Sequence, residues 1–387
     1  MKRVFVIVLD AFGIGALPDA AEFGDVGSHT LRSCTGSVKL QIPNLKKLGL
    51  FNIDGVGCGE KEPQPTGSFG RFAERSRGKD TTVGHWELMG EITEAPFPTY
   101  PHGFPKEILD ALENETGRKI LCNLPYSGTK VLEDYGREQM ETGGLIVYTS
   151  ADSVFQIAAH EEVVSIEELY RICEKARGLL SGKHGVARVI ARPFVGDYPN
   201  FTRTKGRHDY SLTPSHDTVL DAVLKSGQEV IGVGKIYDIF AGKGIGRTVK
   251  TAGNTDGIRK TLALMDENFT GLCFVNLVDT DMLYGHRNDV DGFAGALTEF
   301  DGAIPKMQEK LHGDDMLIIT ADHGCDPGTP STDHSREYIP GLIFGKGLLS
   351  GINLGTGSSF SDIGATVLEA LGITVPQNSF YQKIIRR

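Results

Sequence analysis

Three short apolar runs, far apart along the chain, each stop on a carboxylate. Residues 4–9 end at Asp10, residues 272–278 end in Asp279-Thr280-Asp281, and residues 317–319 lead through Thr320 and Ala321 to Asp322-His323-Gly324. Runs this short and this rich in β-branched residues read as strands buried on both faces, which belong to parallel sheets joined by helical crossovers. Helical patterns lie between them. Phe293, Leu297, Phe300, Ile304, Met307 and Leu311 recur at steps of three and four, with Pro305 expected to kink the helix. Parallel strands put their C-terminal ends on one edge, where ligands of open α/β sheets bind. The chain is thus constrained to an α/β fold with several acids gathered at one edge.

Gathered carboxylates repel unless protons or cations neutralise them, and His286, His323 and His334 offer neutral nitrogen ligands nearby. The donors Asp10, Asp279 or Asp281, Asp322 and these histidines outnumber what one ion takes from protein. Two ions, roughly 3.5 to 4 Å apart as in two-metal sites generally, fit better, and in-line phosphoryl transfer is the matching chemistry. A second stretch, Gly78-Lys79-Asp80-Thr81-Thr82-Val83-Gly84-His85-Trp86-Glu87, sets two threonines at or just before a helix N-terminus, which favours negative charge. Either hydroxyl could carry a phosphoryl group; these residues alone separate neither Thr81 from Thr82 nor Asp279 from Asp281. Gly13-Ile14-Gly15 lacks the third glycine of a dinucleotide fingerprint.

The 387 residues suffice for about two or three domains. Pro96, Pro98, Pro101 and Pro105 mark a linker, and a second α/β pattern follows it. That pattern has a helix from Lys106 ended by Gly117, a strand at 145–148, a capping box of Ser165 and Glu168, a strand at 186–191 and a loop at 203–209. From Pro214 the first pattern resumes, and Ser361 is expected to cap a final helix. The boundaries are 1–97 and 214–387 for a core and 98–213 for a smaller cap. A net charge of −10 without a basic run argues against nucleic-acid and membrane partners. Six cysteines without a CxxC pair read as reduced thiols, and no run is long enough for a signal-peptide core or a membrane span. The expectation is a cytoplasmic protein.

Asp10, Lys79-Asp80-Thr81-Thr82, Asp281 through His286, Asp322-His323-Gly324 and His334 resemble the phosphopentomutase family of the alkaline phosphatase superfamily, over the whole length. The resemblance implies an alkaline-phosphatase-like core with a mainly parallel central sheet, interrupted by a cap that covers the metals. It implies one ion on Asp10, Thr82, Asp322 and His323, and a second on Asp281, His286 and His334, usually Mn²⁺. It selects Thr82 as the phosphorylated catalytic residue and Asp281 over Asp279; Val83, where relatives often have a third threonine, is a departure. Ser150, Asp152, Arg188 and Lys235 correspond to positions that hold the sugar phosphate, and Arg207, His208 and Asp209 are candidates beside them. The implied reaction interconverts ribose or 2-deoxyribose 1-phosphate and the 5-phosphate through a phosphothreonine and a pentose 1,5-bisphosphate. A sugar bisphosphate is the implied activator, and no protein partner is implied.

Overall fold

The computed structural model describes residues 1–150, 153–374 and 378–386. The chain divides into two compact units, one of Met1–Ala95 with Pro214–Arg387, the other Pro96–Thr213. Strands β1 (Arg3–Leu9) and β2 (Ser68–Phe72) precede the inserted unit. That unit contains β3 (Ile120–Pro125), β4 (Leu145–Thr149), β5 (Val154–His160), β6 (Arg188–Val195), β7 (Thr202–Arg203) and β8 (His208–Ser211). The first unit then resumes with β9 (Glu229–Val233), β10 (Arg247–Val249), β11 (Gly271–Leu277), β12 (Asp315–Thr320), β13 (Ile339–Phe344) and β14 (Asn353–Gly357).

Strands of the first unit form one sheet in the order β10-β9-β11-β1-β12-β13-β2-β14. Pairing is parallel from β10 to β12, antiparallel on both sides of β13, and parallel again between β2 and β14. β1, β11 and β12 are buried along their whole length, as strands covered on both faces must be. Leu9 pairs with Leu277, and Val8 with Thr320, so the three strands end at one level. Their following residues include the acids.

The helix Val290–Lys310 continues past Pro305 and buries Phe293, Leu297, Phe300, Ile304 and Met307. Proline leaves the carbonyl four residues back without its helical donor. Here that carbonyl, of Asp301, accepts from the Asn44 side-chain amide at 3.1 Å, which satisfies it without ending the helix. Ser361 is the first residue of the helix Ser361–Ala370 rather than its cap; Phe360 holds that position.

In the inserted unit β3-β4-β5-β6-β7 form a second sheet, with β8 also paired to β6. Leu145, Val147, Phe155, Ile157, Leu169 and Ile172 fill its core. The Ser165 hydroxyl accepts from the Glu168 amide at 3.2 Å, capping the helix Ile166–Leu179. The loop expected at 203–209 is in part strand: β8 lies antiparallel on β6 with Asp209 opposite Ile190. So short and polar a strand carries no hydrophobic period to reveal it. No helix among the described residues is long and apolar enough to cross a membrane.

Candidate metal centre

Beyond β1, the Asp10 amide donates to Leu277 O at 3.1 Å, and Asp10 Oδ2 accepts from Asn276 Nδ2 at 2.7 Å. Ala11 then adopts a left-handed backbone (φ 67°), which turns its amide to Asp322 Oδ1 at 3.1 Å. Each aspartate therefore has one oxygen fixed. The others, Asp10 Oδ1 and Asp322 Oδ2, are buried without a hydrogen-bond partner, each 3.3 Å from His323 Nε2.

Asp281 lies in the helical turn Thr280–Tyr284 after β11, its Oδ1 at 3.3 Å from both His286 Nε2 and His334 Nε2. Reciprocal amide-to-carbonyl bonds between Gly324 and Ser335, at 3.1 and 2.7 Å, fold the intervening loop back and return His334 to His323, with ring centroids 4.1 Å apart. His286 Nδ1 contacts Thr332 O at 2.7 Å and His323 Nδ1 contacts Gly324 O at 3.0 Å. Carbonyls only accept, so these Nδ1 atoms carry hydrogen and present Nε2 to the acids. Asp281 Oδ1 and His334 Nε2 are likewise buried without a hydrogen-bond partner. Buried polar atoms left without partners and gathered in this way suit a bound cation.

Asp279 is engaged elsewhere: its Oδ2 accepts from the Asn254 amide at 2.7 Å, and its own amide donates to Asn254 Oδ1 at 2.9 Å. The threonines also separate. Asp80 caps the helix Thr81–Leu88, accepting from the Thr82 and Val83 amides at 3.0 and 3.2 Å. Thr81 Oγ1 lies 3.1 Å from His323 Nε2. Thr82 projects about 100° further round the helix. The resemblance favours Thr82; the hydroxyl with a contact to the cluster's imidazole is that of Thr81.

Burial raises the Asp10 carboxyl above its ordinary range, and nearby Asp322 raises it further. Burial also opposes ionisation of Asp281 and Asp322, but imidazoles outweigh it: His286 and His334 hold Asp281 well below the usual range, and His323 and His85 lower Asp322. The Asp281 carboxylate beside it leads the causes that push His286 up to about 11. Burial lowers His323, yet Asp322 and Asp10 together raise it well above its ordinary value. The acids and imidazoles thus favour mutual neutralisation through protonated imidazole.

Ligand atoms of Asp281, His286 and His334, and those of Asp10, Asp281 and His323, lie within 4.8 Å of one another in each group. Asp281 is common to both. Mixed carboxylate and imidazole donors suit divalent transition-metal ions, so the residues present fit such a centre. Two further side chains join it that pattern reading had passed over. Asn276 is the lone polar interruption of β11, and His85 stands one helical turn beyond Thr81, an i,i+4 spacing that could have flagged it.

The residues assigned to the sugar phosphate fall in both units of the chain. Ser150 follows β4, and Asp152 lies outside the described residues. Arg188 opens β6, its Nη1 3.5 Å from Asp209 Oδ2, while Arg207 makes a two-point pair with Asp209 at 2.7 Å for each bond. His208, on β8, stacks near Tyr170 at 5.3 Å. Lys235 follows β9, its Nζ 3.7 Å from Met282 Sδ, beside Asp281.

A sheet of this topology with acids and imidazoles at its C-terminal edge defines a metalloenzyme, and the model of the metalloenzyme superfamily matches residues 2–375. The chain belongs to that superfamily and has its alkaline-phosphatase-like α/β fold. It is 55% identical to a phosphopentomutase of Lachnoclostridium phytofermentans over 390 aligned residues, covering 100% of each chain. It is 56% identical to a phosphopentomutase of Carboxydothermus hydrogenoformans, with 96% of each covered. Within the superfamily the chain belongs to the phosphopentomutase family of isomerases. Among solved structures, the PH0037 protein of Pyrococcus horikoshii superposes with a TM-score of 0.50 at 16% identity, covering 98% of this chain and 99% of that one. Phosphoglycerate mutase of Leishmania mexicana gives 0.50 at 11% identity, covering 100% and 98%. These two likenesses are of fold.

Proposed function

We propose that the chain interconverts the 1-phosphate and 5-phosphate of ribose or 2-deoxyribose, with Thr81 carrying a phosphoryl group and a pentose 1,5-bisphosphate as the bound intermediate. The observation that supports this reading is the Thr81 hydroxyl 3.1 Å from His323 Nε2, among orphaned acid and imidazole atoms. The names of the relatives support the substrate class. Phospho-Thr81 gives its phosphoryl group to the free 5-hydroxyl of the sugar 1-phosphate: the P–Oγ bond breaks as the new P–O bond forms. The bisphosphate turns, and Thr81 Oγ takes the phosphoryl group from O1, restoring the starting enzyme. The positive end of the helix Thr81–Leu88 favours the phosphate throughout. A pentose bisphosphate primes the first turnover.

Asp10, Asp322, His323 and Thr81 would hold one divalent ion, and Asp281, His286 and His334 the other; Mn²⁺ is the ion in this reading. Such ions neutralise the acids and polarise phosphoryl oxygens. Ser150, Asp152, Arg188 and Lys235 hold the sugar phosphate, the two cations taking the distal phosphate, for which a guanidinium fork is well shaped. A cytoplasmic location accords with the six free cysteines. The deciding assay supplies ribose 1-phosphate and Mn²⁺, with and without a pentose bisphosphate, and follows 5-phosphate and inorganic phosphate together. Expected is 5-phosphate without matching inorganic phosphate, faster with the bisphosphate; inorganic phosphate released in proportion to turnover would replace the mutase with a hydrolase.

A further inference from the structure

His85 is fully buried on the helix Thr81–Leu88. Its Nδ1 lies 2.9 Å from Thr81 O and 3.0 Å from Asp322 Oδ2, the oxygen that lacks a hydrogen-bond partner. A carbonyl cannot donate, so Nδ1 carries the hydrogen. Nε2 is buried without a partner, with the ring 5.7 Å from Phe274. One face of one ring thus spans the backbone of the residue bearing the hydroxyl and the carboxylate of the cluster. The preceding residue makes this approach possible: a Cβ at Gly84 would stand 2.0 Å from Asp322 O and 2.7 Å from Asp322 C, both backbone atoms that cannot yield.

We infer that His85 is a positioning residue, whose Nδ1, hydrogen-bonded to Thr81 O and in close polar contact with Asp322 Oδ2, ties the first turn of the Thr81 helix to the Asp322 carboxylate and so holds the Thr81 hydroxyl in register with His323. The inference rests on the proposed role of Thr81 and adds a residue that acts on it through geometry alone. Asparagine places an amide donor close to the position of Nδ1, glutamine places one near Nε2, and phenylalanine keeps the ring volume without a donor. Substitutions behind metal-site ligands cost about 10- to 100-fold in metal affinity or activity. His85→Asn should keep kcat within about tenfold, whereas His85→Gln and His85→Phe should lose about 10- to 100-fold in kcat with KM for the sugar phosphate unchanged. Thr81 phosphorylation by the bisphosphate, read by intact-protein mass, should slow in step with kcat. Equal losses in the Asn and Gln proteins, or near wild-type kcat in the Phe protein, would overturn the inference. If the Phe protein does not fold, the Asn and Gln pair decides. A wild-type protein that turns over without any phosphorylation of Thr81 would instead overturn the Thr81 role itself.

Discussion

The same two strands carry buried charge at both ends, and the two ends are finished differently. Arg3 opens β1 and Asp315 opens β12, paired side by side. Arg3 Nε donates to Asp315 Oδ1 at 3.0 Å, Nη2 to Oδ2 at 2.5 Å, and Nη1 to the carbonyls of Met265 and Glu267 at 2.9 and 2.7 Å. The His312 amide also reaches Asp315 Oδ2, at 2.7 Å. At the other ends Asp10 and Asp322 follow, with no arginine or lysine paired to either among the described residues and an oxygen of each left over. A closed pair holds strands together. An open set of acids costs stability until something enters, so the contrast by itself points to the C-terminal edge as the working one.

The sharpest break of the contrast is at Thr81. Thr81→Ala should lose mutase activity by about 10⁴-fold or more, the scale seen when a covalent nucleophile is deleted, while Thr82→Ala keeps most of it. Steady-state assays of both proteins decide the assignment; the opposite ranking would restore Thr82. Next in size is the closed end. Asp315→Ala strands a buried guanidinium and should cost the first unit about 3–5 kcal/mol in chemical denaturation, with kcat unchanged. Asp322→Ala should instead remove activity and metal binding, read by steady-state assay and metal titration. If Asp315→Ala lost activity and metal as Asp322→Ala does, the two ends would not differ as described.

The working edge was legible because burial leaves a simple mark: 4–9, 272–278 and 317–319 are apolar runs cut off by acids, and Asp10, Asp322 and His323 follow where those runs end. Elements held by tertiary context left less trace. β8 has no apolar period, and Asn44 satisfies Asp301 from far away in sequence. Separating Asp281 from Asp279 needs the bonds that tie Asp279 to Asn254, and the proposal of Thr81 in place of Thr82 needs the angular phase of a helix against His323. Adjacent residues of the same type differ only in direction, and direction is a property of packing.

The open end should also exchange protons for metal. His286 is pushed up to about 11 and His323 is raised too, so both imidazoles favour their protonated form without metal, whereas ligation needs them neutral. A raised imidazole adds stability that is complete below pH 6.5 and fades as pH climbs towards about 11, so metal-free stability falls with pH. Metal affinity moves the other way, gaining about tenfold per pH unit for each proton displaced. Titration calorimetry of Mn²⁺ in buffers of different ionisation enthalpy should register proton release at pH 7; heats independent of buffer would contradict it.

Glu337 offers the smallest and finest test, because its carboxylate is buried with neither an open site nor a cation. It accepts from the Gly15 amide at 2.9 Å, the Thr30 amide and hydroxyl at 3.0 and 2.8 Å, and the Ser335 hydroxyl at 2.7 Å. Burial nevertheless pushes it from 4.5 up to about 7, since these neutral donors only partly replace water. Between pH 4.5 and 7 the folded state binds more of this proton than the unfolded state does, so its contribution to stability declines as pH rises through that window. Glu337→Gln removes the ionisation and should flatten the pH dependence of stability there by up to about 1 kcal/mol per pH unit. Denaturation midpoints at several pH values measure it. An unchanged slope would mean that hydrogen bonds from neutral donors can finish a buried carboxylate as completely as Arg3 finishes Asp315.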